Sequence, residues 1–172
     1  MFELKPYSRD DFERLIVWAP TPEALMLWTG MVFTYPLTRD QLEKHLVFAE
    51  KYPERRKIWN ATDGDTVVGH IELNNIWDHD RKATICRVLI DPAVRGKGLG
   101  KEMVKTVVRF GFEELSLHRI DLSAWSHNTA AIRCYEACGF TREGVQRDCR
   151  RMGDEWWDAV QMSILEHEWR EC

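Results

Sequence analysis

The stretch Val88-Leu-Ile-Asp-Pro-Ala-Val-Arg-Gly-Lys-Gly-Leu-Gly100 decides how the rest of the chain is read. It runs from an apolar strand, through a short basic loop with three glycines in five positions, into a long amphipathic helix. Glycine lets a backbone curl closely around a ligand. The first-turn N–H groups of a helix have no internal partner, and the helix dipole adds roughly half a positive charge at that end. Arg95, Lys97 and Lys101 add full charges. Together these features suit a phosphate or pyrophosphate. The mononucleotide P-loop pattern fails, because Glu102 follows Gly100-Lys101 and Arg95 stands where its first glycine belongs. The dinucleotide fingerprint fails as well, because Lys101 stands where its third glycine belongs.

Working outward, Ala83–Ile90 predicts a strand ended by Asp91-Pro92. Gly98–Leu115 predicts a helix whose apolar stripe is Leu99, Met103, Val104, Val107, Val108, Phe112 and Leu115. Downstream come a strand at Arg119–Ala124 and a helix at Asn128–Cys138 stopped by Gly139. A closing hairpin follows, Phe140–Arg151 and Glu155–Leu165 around Met152-Gly153-Asp154. Upstream, Lys57–Thr62 and Thr66–Leu73 flank the tight turn Asp63-Gly64. Before them lie an opening strand at Met1–Tyr7, a helix capped by Ser8 and stopped near Ala19, and a short helix from Pro22 to Trp28. A further helix starts at Thr38-Arg-Asp-Gln41, with Leu42, His45, Leu46 and Ala49 on one face. The fold class is therefore α/β (α+β): a mixed, mainly antiparallel sheet of six to seven strands with helices on both faces, forming one domain over residues 1–172.

Composition narrows the function. The 172 residues are 44% apolar, enough for a core. With 24 basic and 28 acidic side chains the net charge is −4, which disfavours a nucleic-acid binder. Cys86, Cys134, Cys138, Cys149 and Cys172 form no paired ligand set, so no metal is expected, and their odd number suits a reducing compartment. The uncharged stretch Ala24–Leu37 is interrupted by Gly30 and Pro36 and is too short to cross a bilayer. A soluble cytoplasmic protein without membrane contact is expected.

Two motifs carry a family resemblance. Arg95-x-x-Gly98-x-Gly100 after Asp91-Pro92 resembles the acetyl-CoA pyrophosphate loop of the GCN5-related N-acetyltransferases (GNAT). Asn128-x-x-Ala131-x-x-x-Tyr135-x-x-x-Gly139-Phe140 resembles that family's second signature. The opening stretch and Gly153-Asp-Glu-Trp-Trp-Asp158 are similar to the ribosomal-protein alanine N-acetyltransferase branch. The resemblance implies a GNAT fold with splayed central strands, acetyl-CoA as cosubstrate, and direct attack of an amine on the thioester. It places the pantetheine arm against the backbone of Val88, Leu89 and Ile90, in the manner of a missing strand. It assigns the pyrophosphate to Arg95, Gly96, Lys97, Gly98, Leu99, Gly100 and Lys101, and a pantetheine hydrogen bond to Asn128. Tyr135 matches the general acid that protonates the departing thiolate; core packing is its alternative.

Ser123 stands where relatives often carry a basic Glu, so Glu72 becomes the candidate base, with His70 on the same strand face as a weaker one. Asp91 and Asp121 read as structural. Trp28, Phe33, Tyr35, Trp77 and Trp156 are candidates to line the acceptor pocket, and Asp78, Asp80, Asp154 and Glu155 could attract a cationic amine. The acceptor is expected to be a small amine or a protein N-terminus. A homodimer is compatible with the resemblance. The competing reading is an acyl-CoA-binding sensor or interaction module without turnover.

Overall fold

Strand and helix periods alternate along the chain, and the computed structural model, which describes residues 2–169, follows them element by element. Met1 and Cys172, named above, lie outside the described residues. In chain order the elements are β1 (Phe2–Pro6), α1 (Phe12–Trp18), α2 (Pro22–Thr29), α3 (Arg39–Lys51), β2 (Arg56–Asp63), β3 (Thr66–Trp77) and β4 (Lys82–Ile90). After them come α4 (Leu99–Glu113), β5 (Arg119–Trp125), α5 (Thr129–Glu136), β6 (Thr141–Met152) and β7 (Glu155–Leu165). Ser8 closes the predicted capping box with Asp11, whose carboxylate accepts from the Ser8 amide at 2.9 Å; the chain makes one 3-10 turn there before α1 begins. β3 runs four residues past the predicted end at Leu73, because Asn74 and Trp77 still find partners on β4.

The strands form one mixed sheet in the order β1-β2-β3-β4-β5-β7-β6. Every neighbouring pair is antiparallel except β4 and β5, which run parallel. That parallel ladder is short: Lys82, Ala83 and Thr84 face Arg119, Ile120 and Asp121, and there it stops. β4 nevertheless stays paired with β3 as far as Ile90 opposite Gly69. One edge of β4 is thus held while the other parts from β5, the splay expected from the family resemblance.

Helices cover both faces. On one face Met103, Val104, Val107 and Val108 of α4 are fully buried against Ile71, Leu73, Ile85 and Ile120. Each such side chain contributes roughly 1.5–3 kcal/mol through burial. On the other face Phe12, Leu15, Leu25, Leu42 and Leu46 of α1–α3 pack with Ile58 and Leu89. β3 supplies both sides by strict alternation: Ile71 and Leu73 enter the first core, whereas His70, Glu72 and Asn74 are buried together on the second.

β4 also carries a bulge. His70 faces Leu89 and Glu72 faces Cys86, so Arg87 and Val88 both stand opposite Ile71. Arg87 adopts a left-handed backbone, φ +50°. An extra residue on one strand re-aims the side chains around it. Here that sets the direction of Arg87.

Candidate active site

The divergence of β4 from β5 leaves a cleft of about 480 Å³. Its walls are Cys86, Arg87 and Val88 from β4, Ser123–Trp125 from β5, Asn128 and Tyr135 from α5, and the chain from Leu27 to Val32; Arg150 of β6 closes one side. Leu89 and Ile90 continue the same strand toward the basic loop. The loop turns on two left-handed glycines, Gly96 at φ +80° and Gly98 at φ +81°, the second capping α4. A Cβ on Gly98 would meet nothing within 4 Å, so backbone conformation, not crowding, calls for glycine there. Among the described residues no protein acceptor takes the N–H groups of residues 96–100. Arg95 folds back to donate its Nε to the Ile90 carbonyl at 3.2 Å, tying the loop to the end of β4, while Lys97 stays exposed.

Asn128 is the N-cap of α5. Its Oδ1 accepts from the Ala131 amide at 3.2 Å, which leaves its NH₂ free to donate into the cleft. Two turns further on, Tyr135 is buried and faces the same cleft. Burial pushes its phenol well above the usual tyrosine range, helped by the neighbouring Cys134, Cys138 and Cys86, so it stays protonated. Asn128 and Tyr135 therefore face one cavity, and β4 leads from it to the loop, whose residues do not line it.

Glu72 does not line that cavity. It is 1% exposed and accepts from Arg87 Nη2 at 2.6 Å, His45 Nε2 at 3.0 Å, Asn74 Nδ2 at 3.2 Å and His70 Nε2 at 3.3 Å. Desolvation opposes the charge, but Arg87, then His45 and His70, outweigh it and hold the carboxyl well below its usual range. Arg56 Nη1 reaches His45 Nδ1 at 3.2 Å. A guanidinium only donates, so Nδ1 accepts, and the proton on Nε2 points to Glu72. His70 is kept neutral by burial, which lowers its pKa.

The aromatic candidates separate. Trp28 lines the cleft and donates its indole N–H to the Arg87 carbonyl at 2.9 Å, a tie between α2 and the bulge. Phe33 faces a different hollow of about 330 Å³ beside His45, Phe48 and Arg56. Tyr35 donates to the Pro20 carbonyl, Trp77 lies under the Arg55 guanidinium, and Trp156 is exposed beside the β6–β7 turn. None of Asp78, Asp80, Asp154 and Glu155 lines the cleft. Sequence reading passed over Arg87, Arg56, Trp125 and Arg150. Arg87 had a signal: it is the single charge inside the apolar run Ala83–Ile90.

Residues 22–140 match the acetyltransferase (GNAT) family, and the chain belongs to that family. It is 31% identical over 122 residues to the uncharacterized N-acetyltransferase YnaD of Bacillus subtilis, covering 70% of this chain and 67% of that one. It is 25% identical over 168 residues to the spermidine N(1)-acetyltransferase of Escherichia coli, covering 97% and 87% respectively. Its fold superposes on the crystal structure of spermidine N-acetyltransferase from Vibrio cholerae in complex with CoA and spermine, with a TM-score of 0.83 at 24% identity over 97% of this chain and 96% of that one. The protein is an acetyl-CoA-dependent N-acetyltransferase acting on an amine. Among the described residues no helix is long and apolar enough to cross a membrane.

Proposed function

We propose that acetyl-CoA enters with its pyrophosphate on the loop Arg95–Lys101 and its pantetheine arm along Val88, Leu89 and Ile90 in the gap left by β5. The observation that carries this reading is a strand edge without a partner that leads straight to a turn of unshared N–H groups. An extended arm there would take the place of the missing ladder. The Asn128 amide would donate to the arm. A backbone N–H of the Val88 region would polarise the thioester carbonyl, a contact whose removal typically costs about 10²–10³ in rate. Tyr135 would protonate the leaving thiolate. Its raised pKa is no obstacle, because the thiolate forms in the same desolvated cleft and gains basicity with it.

Glu72 takes a different part from the one its sequence position suggests. A carboxylate already holding four donors and sealed from the cleft is a poor base. In this reading it is a positioning residue that anchors Arg87 at the wall, and the amine loses its proton to water before attack. The acceptor is a small amine or a protein N-terminus. A thiol-release assay with acetyl-CoA and a panel of amines tests the whole reading; acetyl-CoA binding without any turnover would favour a sensor instead.

A further inference from the structure

The charged side chains that line the cleft are Arg87 and Arg150, and among the described residues no Asp or Glu lines it. The Glu72 carboxylate, which pairs with Arg87, is spent beneath the wall. Counted with its contacts, that buried cluster holds two guanidiniums, Arg56 and Arg87, against one carboxylate, with two imidazoles between them. It therefore carries a surplus positive charge. Both guanidiniums also keep a buried Nε without a hydrogen-bond partner. Arg87 lines the cavity with its side chain 7% exposed and its guanidinium turned to Glu72. Arg150 has its own backbone carbonyl neighbour, Cys149, as its protein partner and stands at the side of the cleft.

The carrier does not need these charges. A pantetheine arm is uncharged, and the pyrophosphate belongs to the loop at the other end of β4. The positive charge therefore faces the acceptor. We propose that the cleft selects amines that also bear a carboxylate, the amino acids being the simplest class, and discriminates against polycationic amines, with Arg150 and Arg87 as the specificity-determining side chains. This rests on the acetyltransferase reading above.

Two physical effects work in the same direction. A polyamine would bring two or more ammonium groups toward Arg150 and a surplus-positive wall in a cleft that no carboxylate lines, whereas a carboxylate would pair with Arg150. Positive surroundings also lower the pKa of the attacking amine. A cleft without a carboxylate base gains most from an amine that is already neutral. Trp28 and Trp125 have spent their indole N–H groups on the carbonyls of Arg87 and Met26. They offer ring surface to the acceptor's carbon skeleton and no further polar contact.

The test uses amines of matched skeleton: γ-aminobutyrate, butylamine and putrescine, with alanine and ethylamine as a second set. Turnover is read as thiol release from acetyl-CoA, and binding by calorimetry on the CoA-loaded protein. The carboxylate members should exceed putrescine about tenfold or more in kcat/KM and in affinity. Arg150→Glu should erase or reverse that order, and Arg150→Lys should retain it. Putrescine equal to or better than γ-aminobutyrate and alanine overturns the proposal. So does an order unchanged in Arg150→Glu, or no binding by either carboxylate amine. A protein that fails to bind acetyl-CoA alone removes the acetyltransferase reading and this proposal with it, and that result is seen separately in the titration without amine.

Discussion

The two ends of the cleft are built on opposite plans. At the loop end the ligand would meet backbone: consecutive amides of residues 96–100, two left-handed glycines and a helix terminus, all from one short segment. At the acceptor end it would meet side chains brought from α2, β4, β5, α5 and β6, backed by a buried ion cluster whose members lie on α3, β2, β3 and β4. The difference teaches where tolerance lies. A backbone cradle depends on a few φ angles and on the absence of negative charge. A side-chain cluster depends on its neighbours remaining satisfied, so a single deletion there unbalances several groups.

The sharpest break in that comparison is Gly98→Asp. A carboxylate among amides that await a diphosphate should abolish acetyl-CoA binding by calorimetry. Gly98→Asn is the control for backbone strain, because Asn tolerates the left-handed region, and it should weaken binding far less. Equal loss in both variants would mean that conformation, not charge, sets the affinity.

At the other end Glu72→Gln should cost about 3–5 kcal/mol of unfolding free energy, because it strands Arg87 as a buried charge. The same cluster gives stability an acid dependence. The folded-state pKa values of His70 and Glu72 both lie below their unfolded values of 6.5 and 4.5, so the folded state binds fewer protons than the unfolded one. Stability should therefore fall as pH drops below 6.5, and fall further below 4.5 as Glu72 approaches its folded pKa. Glu72→Gln should make the second descent shallower, the remainder coming from Asp11 and Glu143, whose carboxyls are also held low by their partners. Denaturant titrations across that pH range measure both.

Tyr135→Phe should lower kcat by about 10²-fold while leaving the affinity for CoA near that of the parent. A full-rate variant would falsify the acid role and leave packing as its explanation.

Gly69→Ala tests whether the free edge of β4 is held from behind. A Cβ there would lie 3.0 Å from the Leu89 carbonyl and 2.9 Å from Met103 Sδ. The methionine can yield, but the carbonyl is part of the strand. The substitution should cost about 1–3 kcal/mol and weaken acetyl-CoA binding in parallel.

The sequence was legible where function is local. The glycine loop, the cap at Asn128 and the stripe of α4 were each readable from a few neighbouring residues. Element order followed, since capping residues and glycines mark most boundaries. That His70 and Glu72 share a strand face was also readable, from period-two alternation; that the face is buried was not. What Glu72 does was not, because its partners His45 and Arg87 come from other elements, 27 and 15 residues away in the chain. The bulge at Arg87 arises from the register between two strands, which no single segment encodes. Arg150 was hidden for the same reason: β6 is exposed along almost its whole length and shows no apolar alternation to orient it.

The parallel ladder of β4 and β5 spans only three residue pairs, so the two halves of the sheet are stitched together at one end and open at the other. A cosubstrate lying along that gap would act as an eighth strand and finish the architecture as well as feed the reaction. Stability then keeps rising with free acetyl-CoA after the site is nearly full, by about 2.7 kcal/mol at a hundred times its Kd. A cell rich in the thioester would hold this enzyme in its sturdiest form, and starvation for it would loosen the protein before it idled the chemistry.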